Sequence, residues 1–121
     1  MSIKAILAEL QKDYVASIPN KIATISEYWR TQNLEDLQTE YHKLKGTGRT
    51  YGLPEITQLG EALEALCLSG GSSLSIAVPL SINVLERIRA HRELGTQINL
   101  EEDRDFQVII ELVMSETSRE K

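Results

Sequence analysis

The chain has 121 residues, with 13 basic against 18 acidic side chains and a formal net charge of −5. This length suits one domain with a single hydrophobic core, and the acidic balance argues against a general role on nucleic acids or membrane surfaces, because both need cationic faces. Hydrophobic residues make up 41% of the chain but aromatic residues only 5%, which favours helices packed around an aliphatic core.

Helical periodicity begins at the N-terminus and then meets a proline. Ser2 is a candidate N-cap, and apolar residues follow at steps of three or four. A proline inside a helix removes a hydrogen bond and clashes with the preceding turn, so the sequence predicts a break or kink at Pro19. The stripe continues beyond Pro19, which leaves one bent helix and two separate helices both open. Its core-facing residues are Ile3, Leu7, Leu10, Tyr14, Ile18, Ile22, Ile25 and Trp29.

A central helix is predicted from the candidate N-cap Asn33 to about Tyr51. Gly52 supplies a left-handed C-terminal residue and Pro54 begins the next helix, so the tight connection predicts two antiparallel neighbours. The core-facing stripes of the two helices are Leu34, Leu37, Tyr41, Leu44, Gly48 and Tyr51, and Ile56, Leu59, Leu63 and Leu66.

The face of the central helix opposite its stripe carries His42 among three cations. Local positive charge in an acidic protein suggests a specific anionic group, such as a phosphoryl group or the carboxylates of a partner; a solvated basic patch is the alternative. At about 100° per residue, the neighbours of His42 on this surface are Gln38, Thr39, Lys43, Lys45, Gly46 and Arg49. We expect this surface to dock a partner.

Gly46 lies beside the exposed imidazole, although a glycine in a helix interior costs about 1 kcal/mol relative to alanine. We favour access as the reason. Without a side chain one turn beyond His42, the surface of another protein can reach the ring. The alternative is that Gly46 only lets a neighbouring helix pack closely.

Folding back at Gly52 is expected to set Glu64 near His42, because the two residues are about equally far from the turn. The alternative for Glu64 is a solvated surface acid. Its neighbours on that side of the second helix are Thr57, Gly60 and Glu61.

The sequence of the C-terminal half predicts a loop followed by two more helices. Residues 68–73 form a turn-rich link. A helix should follow to about Arg92, with Pro79 tolerated in its first turn, and a last helix should be capped at Asn99. The polar tail from Ser115 to Lys121 is expected to fray. The apolar positions of these helices are Val78, Ile82, Val84, Leu85, Ile88, Phe106, Ile109, Ile110 and Val113.

Other classes of site find little support in the sequence. Cys67 is the single cysteine, which excludes an internal disulfide, fits a reducing compartment and suggests a small buried thiol. His91 has no flanking glycine and no motif, so we interpret it as a surface residue. There is no P-loop, metal-ligand cluster or dinucleotide-binding glycine pattern, and neither a signal peptide nor a run approaching the ~20 residues of a membrane span. We expect a cytoplasmic protein without a cofactor or a bound metal.

The central hairpin resembles the signature of histidine-containing phosphotransfer (HPt) domains, which reads roughly H-x-L-K-G, five residues, G, and a second helix ending in L-E. The resemblance covers about a fifth of the chain and nine positions. Leu53 stands where a small residue is commoner, and Gly48 where Ser or Ala often occurs. The matching residues are His42, Leu44, Lys45, Gly46, Gly52, Ile56, Leu59, Leu63 and Glu64.

The resemblance implies an all-α, antiparallel four-helix bundle with an additional N-terminal helical segment and up-down connections. Such a domain relays a phosphoryl group through one histidine between receiver-domain aspartates, or from a kinase, without kinase or phosphatase activity of its own. It implies His42 as the phosphoacceptor, with Glu64 accepting a hydrogen bond from the ring nitrogen nearer the backbone and Lys45 neutralising the phosphoryl oxygens. The divalent metal of the transfer would belong to the partner's aspartate site.

We expect one such domain over residues 1–121, with core helices at about 19–114, working as a monomer. The helix complement and Met1 favour a free-standing protein over a segment of a larger kinase. Two other functions remain open. One is a helical adaptor that binds receiver or kinase domains without carrying phosphate, and the other is an enzyme that uses His42 and Glu64 as a general acid–base pair. The partners and the direction of phosphoryl flow stay open as well.

Overall fold

Helices form wherever the chain repeats apolar residues at three- and four-residue steps. In the computed structural model of the protein, which describes residues 2–70 and 72–119, they are α1 (Ile3–Ala16), α2 (Ile18–Arg30), α3 (Leu34–Thr50), α4 (Pro54–Ser69), α5 (Leu74–Glu93) and α6 (Arg104–Arg119). A short 3-10 helix, Leu100–Glu102, precedes α6, and no strand occurs in the described ranges. The all-helical prediction is confirmed. None of the described helices is long and apolar enough to cross a membrane.

The N-terminal stripe belongs to two helices. The backbone N–H of Ser17 donates to the carbonyls of Asp13 and Tyr14 and ends α1, while Pro19 lies in the first turn of α2, where its missing N–H is not needed. The break at this proline is therefore a change of helix.

The prediction that the whole first stripe faces the core is wrong for its beginning. Ile3, Leu7 and Leu10 are exposed, and burial starts at Tyr14. The reason is that neighbouring helices cover α1 only where its buried residues, Tyr14 and Val15, lie near its C-terminal end. Periodicity reports that a helix has an apolar side, but not that another helix covers it.

Tyr14 fastens the end of α1 to α3. Its hydroxyl lies 2.8 Å from Oγ1 of Thr47, its ring centroid lies 5.3 Å from that of Tyr51, and Nζ of Lys21 lies 4.7 Å from the centre of the ring. Burial raises the pKa of the Tyr14 phenol, and the hydrogen bond with Thr47 only partly offsets this.

The start of α3, the turn after it and the start of α4 lie where the sequence predicts them. The side chain of Asn33 accepts a hydrogen bond of 3.3 Å from the backbone N–H of Asp36, Gly52 has φ +69°, and Pro54 is the first residue of α4. Of the predicted α3 stripe, Leu37, Tyr41, Leu44 and Gly48 are buried. Leu34 and Tyr51 are exposed and half-buried respectively, because they lie at the two ends of the helix.

The predicted boundaries are less accurate after α4. This helix continues through Ser69 to the left-handed Gly70, so the link is shorter than residues 68–73. Pro79 lies inside α5 and not in its first turn, because α5 begins already at Leu74. The burial of Leu74, Ala77, Val78 and Ser81 on one face accounts for this, since packing outweighs the roughly 3 kcal/mol cost of an interior proline.

Asn99 does not cap the last α-helix. It caps the 3-10 helix by accepting from the backbone N–H of Glu101, and Asp103 accepts from the N–H of Phe106 at the start of α6. The polar tail from Ser115 is helical as far as Arg119, so its fraying stays a prediction; residues 120–121 lie outside the described ranges.

Helices α2 to α5 contact one another in a ring, in which α3 packs along α4, α4 against α5, α5 against α2 and α2 against α3. Helix α6 covers α4 and α5 from outside, and α1 lies against α2 and α5. The largest fully buried side chains are Tyr41, Ile18, Ile25, Leu37, Leu44, Leu53, Ile56, Leu59, Leu63, Leu66, Leu85 and Ile88.

One ion pair joins α4 to α5 at the end of the molecule where the α3–α4 turn lies. Arg92 donates to the two carboxylate oxygens of Glu55 at 2.7 and 2.9 Å, and the side chain of Glu55 is only 1% exposed while that of Arg92 is 20% exposed. Such a bidentate pair holds a buried carboxylate by charge and by geometry.

We expect Arg92→Met to lower the free energy of unfolding by about 3 kcal/mol, because it leaves the buried carboxylate of Glu55 without its cation. The double variant Glu55→Gln/Arg92→Met should recover much of this loss. Urea unfolding followed by circular dichroism measures both. Arg30→Met removes the cation of the exposed pair with Glu27 and serves as the control, which should unfold like the unmodified protein. Equal effects of the two single variants would contradict the prediction.

Candidate functional site

His42 projects from the outer side of α3. Its neighbours Tyr41 and Leu44 are buried in the core, so helical geometry turns residue 42 outward. Its side chain is 66% exposed. One face of the imidazole is therefore open to another molecule.

The carboxylate of Glu64 on α4 contacts two side chains of α3. One oxygen, Oε2, is hydrogen-bonded to Nδ1 of His42, and the other, Oε1, accepts from Nζ of Lys45 at 3.1 Å. The Glu64 side chain is only 13% exposed, so its position is fixed by its neighbours. The alternative that Glu64 is a solvated acid does not hold.

These contacts determine which nitrogen of the neutral His42 ring carries the hydrogen. Partial burial raises the pKa of the Glu64 carboxyl, but the hydrogen bonds from Lys45 and His42 outweigh it and hold this pKa below its usual value. The carboxylate is therefore ionised near neutral pH and can only accept. In the neutral ring Nδ1 must then carry the hydrogen, which leaves the lone pair on Nε2.

The Nε2 lone pair of the exposed ring can attack an electrophile, and Lys45, which lies at the same Glu64 carboxylate, can pair with an anionic group. The Lys45 side chain is 31% exposed, which is enough to reach solvent as well as Glu64. Imidazole is a competent nucleophile near pH 7. When Nε2 forms a bond, the ring becomes positively charged, and the Glu64 carboxylate at Nδ1 would stabilise this charge.

The other residues predicted around His42 lie on the same helix, and none of them forms a hydrogen bond or ion pair with the ring in the described part of the chain. Nζ of Lys43 lies 3.4 Å from Oε1 of Glu40, one turn earlier. The Thr39 hydroxyl donates to the carbonyl of Glu35, and Gln38 is half-buried. Arg49 is exposed and forms no ion pair within the described residues.

The remaining reactive side chains lie outside this cluster. Burial raises the pKa of the half-buried Cys67 thiol to about 11, which suppresses its reactivity. His91 on α5 is half-exposed and its Nδ1 lies 2.9 Å from the Thr96 hydroxyl. Within the described part of the chain, no three His, Cys, Asp or Glu side chains are arranged to hold a metal ion.

The comparison with protein families returns the Hpt domain, matched over residues 9–104. The chain belongs to the Hpt domain family. Membership confirms the resemblance that the hairpin signature indicated, and it assigns the chain to the phosphocarrier modules of two-component signalling, which interact with receiver domains or kinases. No curated protein and no solved structure matches the chain significantly.

Gly46 of this Hpt domain lies in open space. A Cβ built on Gly46 would have no heavy atom within 4 Å beyond its own neighbours. The alternative that Gly46 lets a neighbouring helix pack closely is therefore wrong. Its role in access to His42 stays a prediction.

Gly48 and Gly60 are the glycines that allow α3 and α4 to pack closely. Their part in the site was not predicted from the sequence. A Cβ on Gly60 would lie 2.6 Å from the backbone nitrogen of Lys45 and 2.7 Å from the carbonyl oxygen of Tyr41. A Cβ on Gly48 would lie 2.6 Å from both the backbone nitrogen and Oγ1 of Thr57. In the same stretch the Thr57 hydroxyl donates to the carbonyl of Lys45 at 3.2 Å.

Gly60 therefore allows α4 to touch the backbone of α3 between the turns that carry His42 and Lys45. Glu64 follows one helical turn later on the same side of α4, which is where its carboxylate meets both side chains. The sequence signal that could have found this contact is the i, i+4 spacing of Gly60 and Glu64 on the side of α4 facing α3.

We expect Gly60→Ala to lower the free energy of unfolding by about 1–3 kcal/mol, because the methyl group meets rigid backbone and must separate the helices. It should also weaken the hydrogen bond at Nδ1 of His42, which the nitrogen chemical shifts of the ring report. Gly46→Ala is the matched control and should raise the free energy of unfolding by up to about 1 kcal/mol with unchanged ring shifts. Equal stability of the two variants would contradict the proposed contact.

Proposed function

We propose that this Hpt domain accepts a phosphoryl group on Nε2 of His42 from a receiver-domain aspartate, or from a kinase, and passes it to another receiver. The proposal rests on the two contacts of the Glu64 carboxylate. Its Oε2 is hydrogen-bonded to Nδ1 of the exposed His42 ring, which leaves Nε2 free, and its Oε1 accepts from Nζ of Lys45. The chain would act as a carrier between partners and not as an enzyme with turnover of its own.

The transfer needs few groups from this chain. The Nε2 lone pair attacks phosphorus, the bond between phosphorus and the aspartyl oxygen breaks, and that oxygen leaves as a carboxylate. Nδ1 keeps its hydrogen throughout, and the ring becomes a cation that the Glu64 carboxylate stabilises. Attack by the aspartate of a second receiver reverses these steps. The main requirements are alignment and charge stabilisation.

Lys45 is the cation best placed for the phosphoryl oxygens. Its Nζ already lies at the carboxylate that holds His42, so a small side-chain rotation could carry it to a group on Nε2. Lys43 and Arg49 are exposed on the same helix and would support it or meet the acidic site of a receiver. The divalent metal of the reaction would be the partner's.

We assign partner docking to the exposed surface of α3 around His42. This surface consists of Gln38, Thr39, Lys43, Gly46 and Arg49. It combines two exposed cations, Lys43 and Arg49, with a position without a side chain at Gly46, and an acidic partner surface can therefore approach the ring closely.

We also propose the helix arrangement, the oligomeric state and the cellular location of the domain. We interpret the ring of contacts among α2, α3, α4 and α5 as the antiparallel four-helix bundle, with α1 as the additional N-terminal segment. A single domain would span residues 1–121 and work as a monomer. The free thiol of Cys67 suits the reducing cytoplasm.

We expect His42→Gln to abolish labelling by a phosphorylated receiver domain without a change in fold, because the residue is exposed and outside the core. The label should be acid-labile and base-stable in the unmodified protein. His91→Gln is the matched control, since it removes the other histidine, and should label normally. Label retained in His42→Gln would move the site elsewhere, and a stable receiver complex without any transfer would favour the adaptor function instead.

Gly46→Gln should weaken receiver binding by about tenfold, because the new side chain occupies the space through which the partner reaches His42. The free energy of unfolding should stay the same or rise, since a Cβ at this position would meet no heavy atom within 4 Å beyond its own helix backbone, and glutamine favours a helix. Titration calorimetry measures binding, with Gly46→Ala as the small-residue comparison. Unchanged affinity in Gly46→Gln would contradict the proposal that the missing side chain at Gly46 lets a partner reach His42.

A further inference from the structure

A groove runs between α4 and α6, separate from the contact between Glu64 and His42. Its two adjoining sections have volumes of about 370 and 350 Å³. Buried Ala62 and Phe106 contribute to its floor, together with half-buried Ile110. It follows α4 from Gln58 to Ala65, a distance of about 10 Å at 1.5 Å per residue. Two turns of a helix fit this length.

The rim of the groove is negatively charged. Glu61 of α4, Glu101 of the 3-10 helix and Glu111 of α6 line it, and none of the three forms an ion pair with another described residue. Among the described residues, no lysine or arginine lines either section. The nearest cation along α6 is Arg104 at its first position.

Charge distinguishes this groove from the surface around His42. The cations Lys43, Lys45 and Arg49 all lie on α3, whereas the groove lies along α6, with three unpaired carboxylates. On α4, Ala65 is turned by about 100° and Glu61 by about 60° from Glu64, whose carboxylate contacts His42. The cationic surface around His42 therefore lies on α3, and the acidic groove lies between α4 and α6.

We propose that the α4–α6 groove binds a cationic amphipathic helix of a partner protein. The apolar floor takes hydrophobic side chains at i, i+3, i+4 and i+7, and lysine or arginine residues beside that stripe meet Glu61, Glu101 and Glu111. Charge complementarity sets the orientation and speeds association. The proposal is independent of phosphate on His42, so the two can be tested separately.

The test uses the full chain and a fluorescent peptide of about 18 residues with leucines at i, i+3, i+4 and i+7 and lysines elsewhere. A second peptide has the same composition with the leucines scattered around the helix, and a third has glutamates in place of the lysines. Fluorescence anisotropy should show that the first peptide binds at least about tenfold more tightly than either of the others, and that salt weakens it.

Two matched double variants locate the binding. Glu61→Gln/Glu111→Gln should slow association severalfold, because rim charges act mainly on the association rate. Glu9→Gln/Glu86→Gln changes the net charge equally at exposed positions away from the groove and should have no such effect. Ala65→Gln places a larger side chain on the groove wall from an exposed position and should weaken binding about tenfold with little change in stability.

Amide chemical shifts recorded during the titration should change along α4 and α6. Equal effects of the two double variants would overturn the proposal, because binding would then follow net charge alone. Shifts centred on the exposed apolar side chains of α1, such as Ile3, Leu7 and Leu10, would overturn it as well and assign the peptide to that surface. So would equal affinity for the ordered and scattered leucine peptides.

Discussion

The arrangement of the site depends on how closely α4 approaches α3. At Gly60 the α4 backbone lies where a Cβ would be 2.6 Å from the backbone nitrogen of Lys45, and at Gly48 the α3 backbone approaches Thr57 as closely. Contacts this short leave no room for even a methyl group. They fix the separation of the two helices by backbone against backbone, which is stiffer than an interface of flexible side chains. A carboxylate on the next turn of α4 then reaches α3 without stretching, and the position of Glu64 follows from the two glycines.

A single carboxylate performs two tasks because its two oxygens contact different partners. Oε2 holds Nδ1 of His42 and so selects the ring nitrogen that faces solvent, while Oε1 holds Nζ of Lys45 near the same point. The low exposure of Glu64 strengthens both contacts, since they are less screened by water than those of a surface pair. The histidine itself stays exposed at 66%. The ring is thus orientated by a protected residue and remains accessible to a partner, which is what a carrier between large proteins requires.

The sequence predicted the hairpin well because local chemistry determines it. The left-handed residue at Gly52 and the proline after it specify the turn, and the distances along the two helices then bring Glu64 to His42. Features that depend on a distant neighbour were predicted poorly. The stripe through Leu7 was expected to be buried, but amphipathic periodicity does not show whether another element lies opposite. The only mark of the Gly60 contact in the sequence is the i, i+4 spacing of Gly60 and Glu64, because what matters there is an absent methyl group against the backbone of another helix.

The net charge of −5 does not show how positive and negative side chains are distributed over the surface of the protein. The outer side of α3 carries three cations around His42, whereas the flank of α4 and α6 carries unpaired carboxylates beside an apolar groove. At physiological salt, exposed charges act over roughly 8 Å, so a partner about one helix diameter away meets mainly the local sign and not the average. Hpt domains interact with receiver domains or kinases, so the sign of the charge near the exposed His42 affects which partner surfaces can approach it. The three cations on the His42 face of α3 attract acidic partner surfaces to that face, whereas the unpaired carboxylates of the groove repel them.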